Sequence, residues 1–91
     1  MIVQNDNFAD VHVYLVGPDG DRSDVGLASS FGESRFRVSL DRLTRDPVGV
    51  LIDPVGGGQS KLISDVYFPS DAEALKVVVG AEIGLSHIVI Q

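Results

Sequence analysis

Ser86 and His87 are adjacent, and a serine beside a histidine could in principle perform nucleophilic catalysis. Their segment, GLSHI, departs from the hydrolase signature G-x-S-x-G because Ile88 stands where the second glycine belongs. That glycine permits the strained turn that exposes the nucleophile. The flanking residues alternate as in a strand, which would place Ser86 and His87 on opposite faces. We therefore predict no catalytic residues and no enzymatic activity.

The two histidines, His12 and His87, could in principle share a metal ion with a carboxylate. Nothing in the sequence indicates the required third ligand. Isolated histidines on strands are more often surface residues or cross-strand packing residues. The sequence therefore favours a structural role for both, and we predict no zinc site.

Two clusters of acidic and amide residues supply the hard oxygen atoms that calcium prefers. Neither cluster matches the D-x-[DN]-x-[DN]-G loop with its distal glutamate. Asn and Asp side chains also hydrogen-bond nearby backbone in turns, and this role is favoured together with solubility. We predict no metal and no cofactor, and keep as weak calcium candidates Asn5, Asp6, Asn7 and Asp10 in the first cluster, and Asp19, Asp21 and Asp24 in the second.

Two further segments resemble binding motifs only superficially. The stretch GGGQSK, residues 56–61, lacks the spacing of a phosphate loop and the helix that should follow it, so it is predicted to be a flexible connection. The second is a concentration of basic residues. We interpret it as a solvent-exposed face whose charge Asp41 and Asp46 balance, and a binding patch for an acidic partner is the alternative. The basic residues are Arg35, Arg37, Arg42 and Arg45.

Composition narrows the functional classes. The chain has 91 residues, which predicts one domain, and 44% of them are hydrophobic, which argues against disorder. The formal net charge of -6 argues against nucleic acid and anionic membrane surfaces as partners. The absence of cysteine excludes disulfides and thiolate sites. No apolar run approaches the length of a membrane span.

Alternation of apolar and polar residues recurs along most of the chain. In residues 34–40 Phe36, Val38 and Leu40 share one face, and two arginines and Ser39 lie on the other. We predict a loop at 54–58, a hairpin loop at 17–21 and a helical turn at 41–46 that Pro47 ends. The predicted strands are 2–5 at a sheet edge, 11–16 in the middle of a sheet, 23–28, 34–40, 48–53, 62–68 and 85–90.

Residues 71–79 admit two interpretations. The sequence SDAE at 70–73 is a capping-box pattern and Gly80 stands where a helix would end, which favours a helix. The run Val77-Val78-Val79 is β-branched and loses rotamer freedom in a helix, which favours a strand. We favour the strand. The sequence then predicts an all-β domain, a seven- or eight-stranded antiparallel β-sandwich with an immunoglobulin-like or transthyretin-like architecture.

The order of these segments resembles a group of small exported bacterial β-sandwich domains. Residues 3–16, VQNDNFADVHVYLV, look like that group's opening, where N-x-N-[FW]-x-D leads into V-Y-L-V. Val25-Gly26, Phe36, the DPVGG stretch at 53–57 and the final LSHI at 85–88 also fit, whereas PSDAE at 69–73 departs from the group's usual Pro-Gly turn. The resemblance implies a transthyretin-like or immunoglobulin-like fold and a secretory or lipoprotein leader. The group has no established activity, so no functional residues carry over.

From these observations we expect a non-enzymatic binding or structural module that acts through loops or a sheet edge. We expect an extracytoplasmic location (periplasmic, cell-surface or secreted) with the leader absent from this chain; the cytoplasm is the alternative. The expected partner is another protein or a second copy, as a homodimer or larger oligomer. The main alternative is a subunit of an ordered assembly such as a surface filament or virion, and a small hydrolase or metal-dependent enzyme is the less favoured one. The predicted interface residues are Val77, Val79, Ile88, Val89 and Ile90.

Overall fold

The computed structural model describes residues 1–38, 47–67 and 74–91, and in these ranges the chain is all-β. The described residues form eight strands in two four-stranded sheets, in agreement with the predicted sandwich. A short 3₁₀ turn, Ile83–Leu85, precedes the last strand. The strands are β1 (Ile2–Asn5), β2 (Val11–Val16), β3 (Arg22–Ala28), β4 (Gly32–Arg35), β5 (Val48–Pro54), β6 (Lys61–Val66), β7 (Leu75–Val79) and β8 (His87–Ile90).

The first sheet has the strand order β4-β1-β7-β8, and the second sheet has the order β3-β2-β5-β6. All neighbouring strands are antiparallel except β1 and β7, which are parallel with Val3 opposite Val77. The predicted edge position of β1 is therefore wrong, because β4 and β7 flank it on both sides. The central position predicted for β2 is confirmed, since it lies between β3 and β5.

The core lies between the sheets and follows the two-residue period of the strands. In β5 Val48, Val50 and Ile52 are buried, as predicted, and β2 contributes three alternating residues from Val11 onward. The first sheet contributes Val3 from β1 and alternating residues of β7. The strand favoured for residues 71–79 is confirmed over Leu75–Val79, whereas the capping-box residues 70–73 lie outside the described residues.

The clearest predicted strand, 34–40, ends early at Arg35. Phe36 is nevertheless half-buried and packs against the core, as its inward phase predicted. Its N–H donates to the carbonyl of Met1 at 2.8 Å, and the Met1 amino group donates to the carbonyl of Phe36 at 2.9 Å. The phenyl ring lies directly over Gly26, which has a φ of 154° and where any Cβ would clash with the ring. Gly26 thus lets Phe36 close the side of the sandwich between β3 and β4.

Other boundaries differ less. The last strand begins at His87 rather than at residue 85, because the 3₁₀ turn includes Leu85 and Ser86 is its C-cap. The predicted helical turn at 41–46 lies outside the described residues. The same holds for Leu40 before it and for Phe68 at the end of the predicted sixth strand. Within the described ranges, no helix has the length and apolar character needed to cross a membrane.

Candidate functional site

Four loops meet at one end of the sandwich, which we call the loop end. They follow strands β1, β3, β5 and β7 and comprise residues 6–10, 29–31, 55–60 and 80–86. The parallel pairing of β1 and β7, and the antiparallel pairing of β2 with β3 and β5, bring the four loops to this one end. Such clusters of loops on a rigid β-scaffold are common locations for binding residues.

Asn5 connects the first loop to the second sheet. It is fully buried, and its Nδ2 donates to the carbonyls of Ala9 at 2.9 Å and Ala28 at 3.1 Å. Its Oδ1 accepts the N–H of Asn7 at 2.9 Å. One buried amide therefore satisfies three backbone groups that would otherwise be desolvated without partners.

Asn7 continues this network toward the loop that follows β7. Its Oδ1 accepts the N–H of Ala9 at 2.9 Å, and its Nδ2 donates to the carbonyls of Gly80 at 3.1 Å and Ala81 at 3.0 Å. The N–H of Asp6 donates to the carbonyl of Val79 at 2.8 Å. Two hydrogen bonds thus join the first and fourth loops, and a third joins the first loop to the last residue of β7.

Asp10 joins the first loop to the second and third loops. Its Oδ1 accepts the N–H of Ser30 at 2.8 Å, and its backbone carbonyl accepts the N–H of Val55 at 2.9 Å. With Asn5 and Asn7, this residue connects all four loops at their bases. The first acidic and amide cluster therefore performs the turn chemistry predicted for it, extended to long-range partners.

The tips of these loops expose large apolar side chains. Phe8 is 79% exposed, Phe31 74%, Leu85 68% and Val55 51%. Phe31 also has a φ of 53°, a left-handed conformation that is uncommon for a residue other than glycine. Such strained residues cluster at functional sites. Each of the four loops carries one of these residues, so a fixed polar base supports an apolar surface.

The surroundings of the apolar tips are acidic. Asp6, Asp10 and Glu82 are exposed at the loop end. Lys61 lies close by, and its Nζ donates to the carbonyl of Gly84 at 3.3 Å. The loop end therefore combines apolar tips with a predominantly negative rim.

Ser86 and His87 lie in different surroundings, although Ser86 precedes β8 rather than belonging to a strand as predicted. Ser86 is buried, and its Oγ accepts the N–H of Gly80 at 3.1 Å. His87 is exposed, and its Nδ1 donates to the carbonyl of Leu85 at 3.1 Å. The two side chains therefore have different hydrogen-bond partners.

The two histidines lie in different sheets. His12 is on β2, and its ring centroid is 5.8 Å from that of Tyr14. The guanidinium carbon of Arg22 lies 5.8 Å from the Tyr14 ring centroid on the same outer face. His12 thus has the packing role favoured from the sequence. In the described ranges, no three His, Asp or Glu side chains are arranged to hold a metal ion.

The second acidic cluster lies at the opposite end of the sandwich, around the hairpin between β2 and β3. Asp19 and Asp21 are exposed, and the Oδ1 of Asp19 accepts the N–H of Asp21 at 3.4 Å. Asp24 is exposed on β3. Residues 56–58 all have positive φ and lead into a strand rather than a helix, as predicted. Arg35 and Arg37 are exposed, whereas Arg42 and Arg45 lie outside the described residues.

The predicted interface residues fall into two groups. Val77 and Val79 are fully buried between the sheets, and β7 lies between β1 and β8, so their assignment to an interface is wrong. The other three residues belong to β8, an edge strand of the first sheet. Ile88 is half-buried against the core, Val89 is 38% exposed and Ile90 is 58% exposed.

Comparison of the chain with protein-family models, curated proteins and solved structures finds no match. The sequence analysis placed recognition on loops but did not single out Phe8, Phe31, Val55 or Leu85. A usable signal was present: the first three each interrupt a run of turn-forming residues, as in NFAD, SFG and PVG. A large apolar residue at such a position has no strand to bury it.

Proposed function

We propose that this protein is a non-enzymatic binding module that contacts a protein partner through the loop end. The observation that carries the proposal is the exposure of Phe8, Phe31 and Leu85, each more than two-thirds exposed, above a hydrogen-bonded base. Exposed apolar patches often mark interaction sites, and aromatic side chains contribute disproportionately to binding free energy. The separate positions of Ser86 and His87 support the non-enzymatic part of the proposal.

The buried amide network supports this function energetically. Association requires flexible loops to lose conformational entropy, and this loss reduces affinity. Here Asn5, Asn7 and Asp10 hold the loop bases in one arrangement before any partner arrives. Binding then orders mainly the side chains at the tips.

The acidic rim indicates the kind of partner. Asp6, Asp10 and Glu82 surround the apolar tips, and the whole chain carries a net charge of -6. Complementary charge speeds association and disfavours wrong partners. The partner surface should therefore be apolar at its centre and basic at its margin. Anionic lipid and nucleic acid would be repelled.

Selection of peptides from a random displayed library tests the proposal directly. Wild-type protein should enrich peptides that combine apolar and basic residues, and a Phe8→Ser/Phe31→Ser double variant should lose that enrichment. Tyr67→Ser is the matched control, because Tyr67 is 65% exposed but follows β6 at the opposite end. Enrichment that survives in the double variant would show that the loop end is not the binding surface.

The main alternative remains a subunit of an ordered assembly, and the edge position of β8 is the observation that favours it. A filament needs a second, different contact on the same chain, whereas pairing through β8 alone closes on itself.

The extracytoplasmic location stays a proposal that rests on the resemblance to exported domains.

A further inference from the structure

The edges of the two sheets differ in how they are protected. Edge strands expose unpaired backbone groups, and proteins usually place charged residues there to prevent pairing with other chains. Three of the four described edges follow this rule and one does not. Strand β8, His87–Ile90, contains no Asp, Glu, Lys, Arg or proline. The protected edges carry Glu33 and Arg35 on β4, Arg22 and Asp24 on β3, and Lys61 and Asp65 on β6.

The hydrogen-bond pattern identifies which backbone groups of β8 are available. The N–H of Gln91 donates to the carbonyl of Ala74 at 2.7 Å, so these two residues form a hydrogen-bonded pair. In an antiparallel ladder such pairs alternate with non-hydrogen-bonded pairs. The register places Val89 opposite Lys76, so this pair is also hydrogen-bonded. The N–H and C=O groups of Ile88 and Ile90 therefore point away from β7, and no other described strand pairs with β8.

We propose that β8 pairs with β8 of a second copy of this chain in an antiparallel, two-fold symmetric arrangement centred on Val89. Ile88 then lies opposite Ile90 of the second copy in a hydrogen-bonded pair. The symmetry repeats this pair, so four backbone hydrogen bonds form. The two first sheets become one continuous eight-stranded sheet.

The side chains of β8 fit a second copy. The sequence Ile88-Val89-Ile90 reads the same in both directions, so the two-fold axis places apolar residues opposite apolar residues on both faces. Ile90, which is 58% exposed, is covered on the inner face, and Val89 meets Val89 of the second copy on the outer face.

Electrostatic repulsion across this contact is weak. Lys76 is the charged residue in register with Val89, and its ammonium group lies 3.9 Å from the carboxylate of Glu33. The two copies of Lys76 would be three strand spacings apart, about 14 Å. This separation exceeds the Debye length of about 8 Å at physiological salt. The net charge of -6 on each copy should therefore lower affinity mainly at low ionic strength.

The oligomeric state and one cysteine variant test the arrangement. Sedimentation equilibrium from low to high micromolar concentration should show a reversible monomer–dimer equilibrium that tightens as salt is added. In the proposed register Val89 forms a non-hydrogen-bonded pair with itself, with Cα atoms about 4.5 Å apart. This distance lies within the range for disulfides.

Because the chain has no cysteine, Val89→Cys introduces a single thiol. Mild oxidation at low concentration should link it into a covalent dimer much faster than Leu62→Cys. The latter is the matched control, since Leu62 is 49% exposed on the charged edge strand β6. Equal rates of cross-linking in the two variants would overturn the proposed register.

Val89→Glu tests the contact without cross-linking. In one copy the new carboxylate lies beside Lys76, so the variant should fold, which circular dichroism checks. In the dimer two carboxylates would face each other, and the dissociation constant of the dimer should rise at least tenfold. A wild-type chain that stays monomeric throughout, or a dimer that Val89→Glu leaves intact, would refute the inference.

This inference is independent of the loop end. The Phe8→Ser/Phe31→Ser variant should remain dimeric, and Val89→Glu should keep the peptide selection of the wild type. Failure of one proposal is thus distinguishable from failure of the other.

Discussion

Two clusters of Asp and Asn residues look equivalent in the sequence and differ completely in the structure. In the first cluster Asn5 and Asn7 are buried, and their amides reach backbone groups in other strands and loops. In the second cluster Asp19 is exposed and bonds only its own turn, two residues away. The same residue types thus serve a long-range buried network at one end of the sandwich and a solvated hairpin at the other.

The difference arises from what surrounds each turn. The first turn lies where β1, β3 and β7 end together, so the carbonyl of Ala28 is buried there and those of Ala9 and Ala81 are partly buried. A buried carbonyl without a partner is costly, and an amide side chain supplies donors for two of them. The hairpin at 17–21 is closed by its own backbone, through the hydrogen bond from the Gly17 N–H to the Asp21 carbonyl at 2.9 Å. Side chains there contribute little.

Among the substitutions considered, Asn5→Asp should lower the stability of the protein most. The substitution keeps an acceptor for the N–H of Asn7 but turns an oxygen toward the carbonyls of Ala9 and Ala28. Burying an unpaired charge in this way should cost about 3–5 kcal/mol of unfolding free energy at neutral pH.

Burial raises the pKa of the introduced carboxyl above its unfolded value of about 3.9, so the loss should shrink as pH falls toward 4. Urea denaturation at two pH values measures both effects. A loss that is small and independent of pH would mean that position 5 is hydrated.

Phe36→Ala measures how much one apolar core contact contributes to the free energy of unfolding, for comparison with the amide network. The ring packs on Gly26 and the core but is only half-buried, so we expect a loss of about 2–4 kcal/mol. Denaturant midpoints of the two proteins measure it. The exposed Phe8→Ala is the matched control and should change stability by less than about 0.5 kcal/mol. A cost below about 1 kcal/mol for Phe36→Ala would show that the side between β3 and β4 is not closed by this ring.

Asn7→Ala should have an intermediate effect. It removes the donor to Gly80 and Ala81 and the acceptor for Ala9, but these groups are only partly buried. We expect a loss of about 1–3 kcal/mol, with faster amide hydrogen exchange in residues 80–86. Thermal unfolding and hydrogen exchange measure the two consequences, and exchange that is unchanged in that loop would contradict the role given to Asn7.

Asp19→Ala should have almost no effect, within about 0.5 kcal/mol, because the hydrogen bond is long and exposed. Denaturation measured beside Asn7→Ala completes the comparison. A loss as large as that of Asn7→Ala would mean that the two clusters are energetically alike after all.

Calcium should distinguish the clusters least, because we expect neither to bind it tightly. The Oδ1 atoms of Asn5 and Asn7 already accept backbone N–H groups, and Asp19 and Asp21 lie exposed at the opposite end. Calorimetric titration with calcium and zinc at neutral pH should therefore give no micromolar binding. Binding that disappears in an Asp6→Ala/Asp10→Ala variant, or on replacing His12 and His87, would contradict this expectation.

The parts of the fold that depend on local pattern could be predicted from the sequence. Alternation located β2 and β5, and turn residues located the hairpin between β2 and β3. Non-local pairing could not be predicted in the same way. The pattern of β1 does not indicate that β7 will cover its second edge, and the pattern of β7 does not indicate that β8 will cover it in turn. For this reason the edge position of β1 and the interface role of Val77 and Val79 were both wrong.

The candidate site was predictable only in outline. A cluster such as Asn5, Asp6, Asn7 and Asp10 indicates a turn, but its partners Ala28, Gly80 and Ala81 are distant in the sequence. Its burial depends on strands that arrive from both sheets. The exposed loop residues follow a local rule and were accessible from the sequence, whereas the network beneath them required the assembled fold.

The parallel pairing of β1 with β7 has a consequence for how the chain folds. All four strands of the second sheet lie between residues 11 and 66, so this sheet can assemble before the C-terminal part is available. The first sheet cannot, because β1 gains its second neighbour only when residues near Val77 reach Val3. Closing so long a loop is entropically slow, and domains dominated by such contacts fold in milliseconds to seconds. Refolding kinetics should therefore show the hydrogen-exchange protection of Gln4, whose N–H points toward β7, developing together with that of β7 in the last cooperative step.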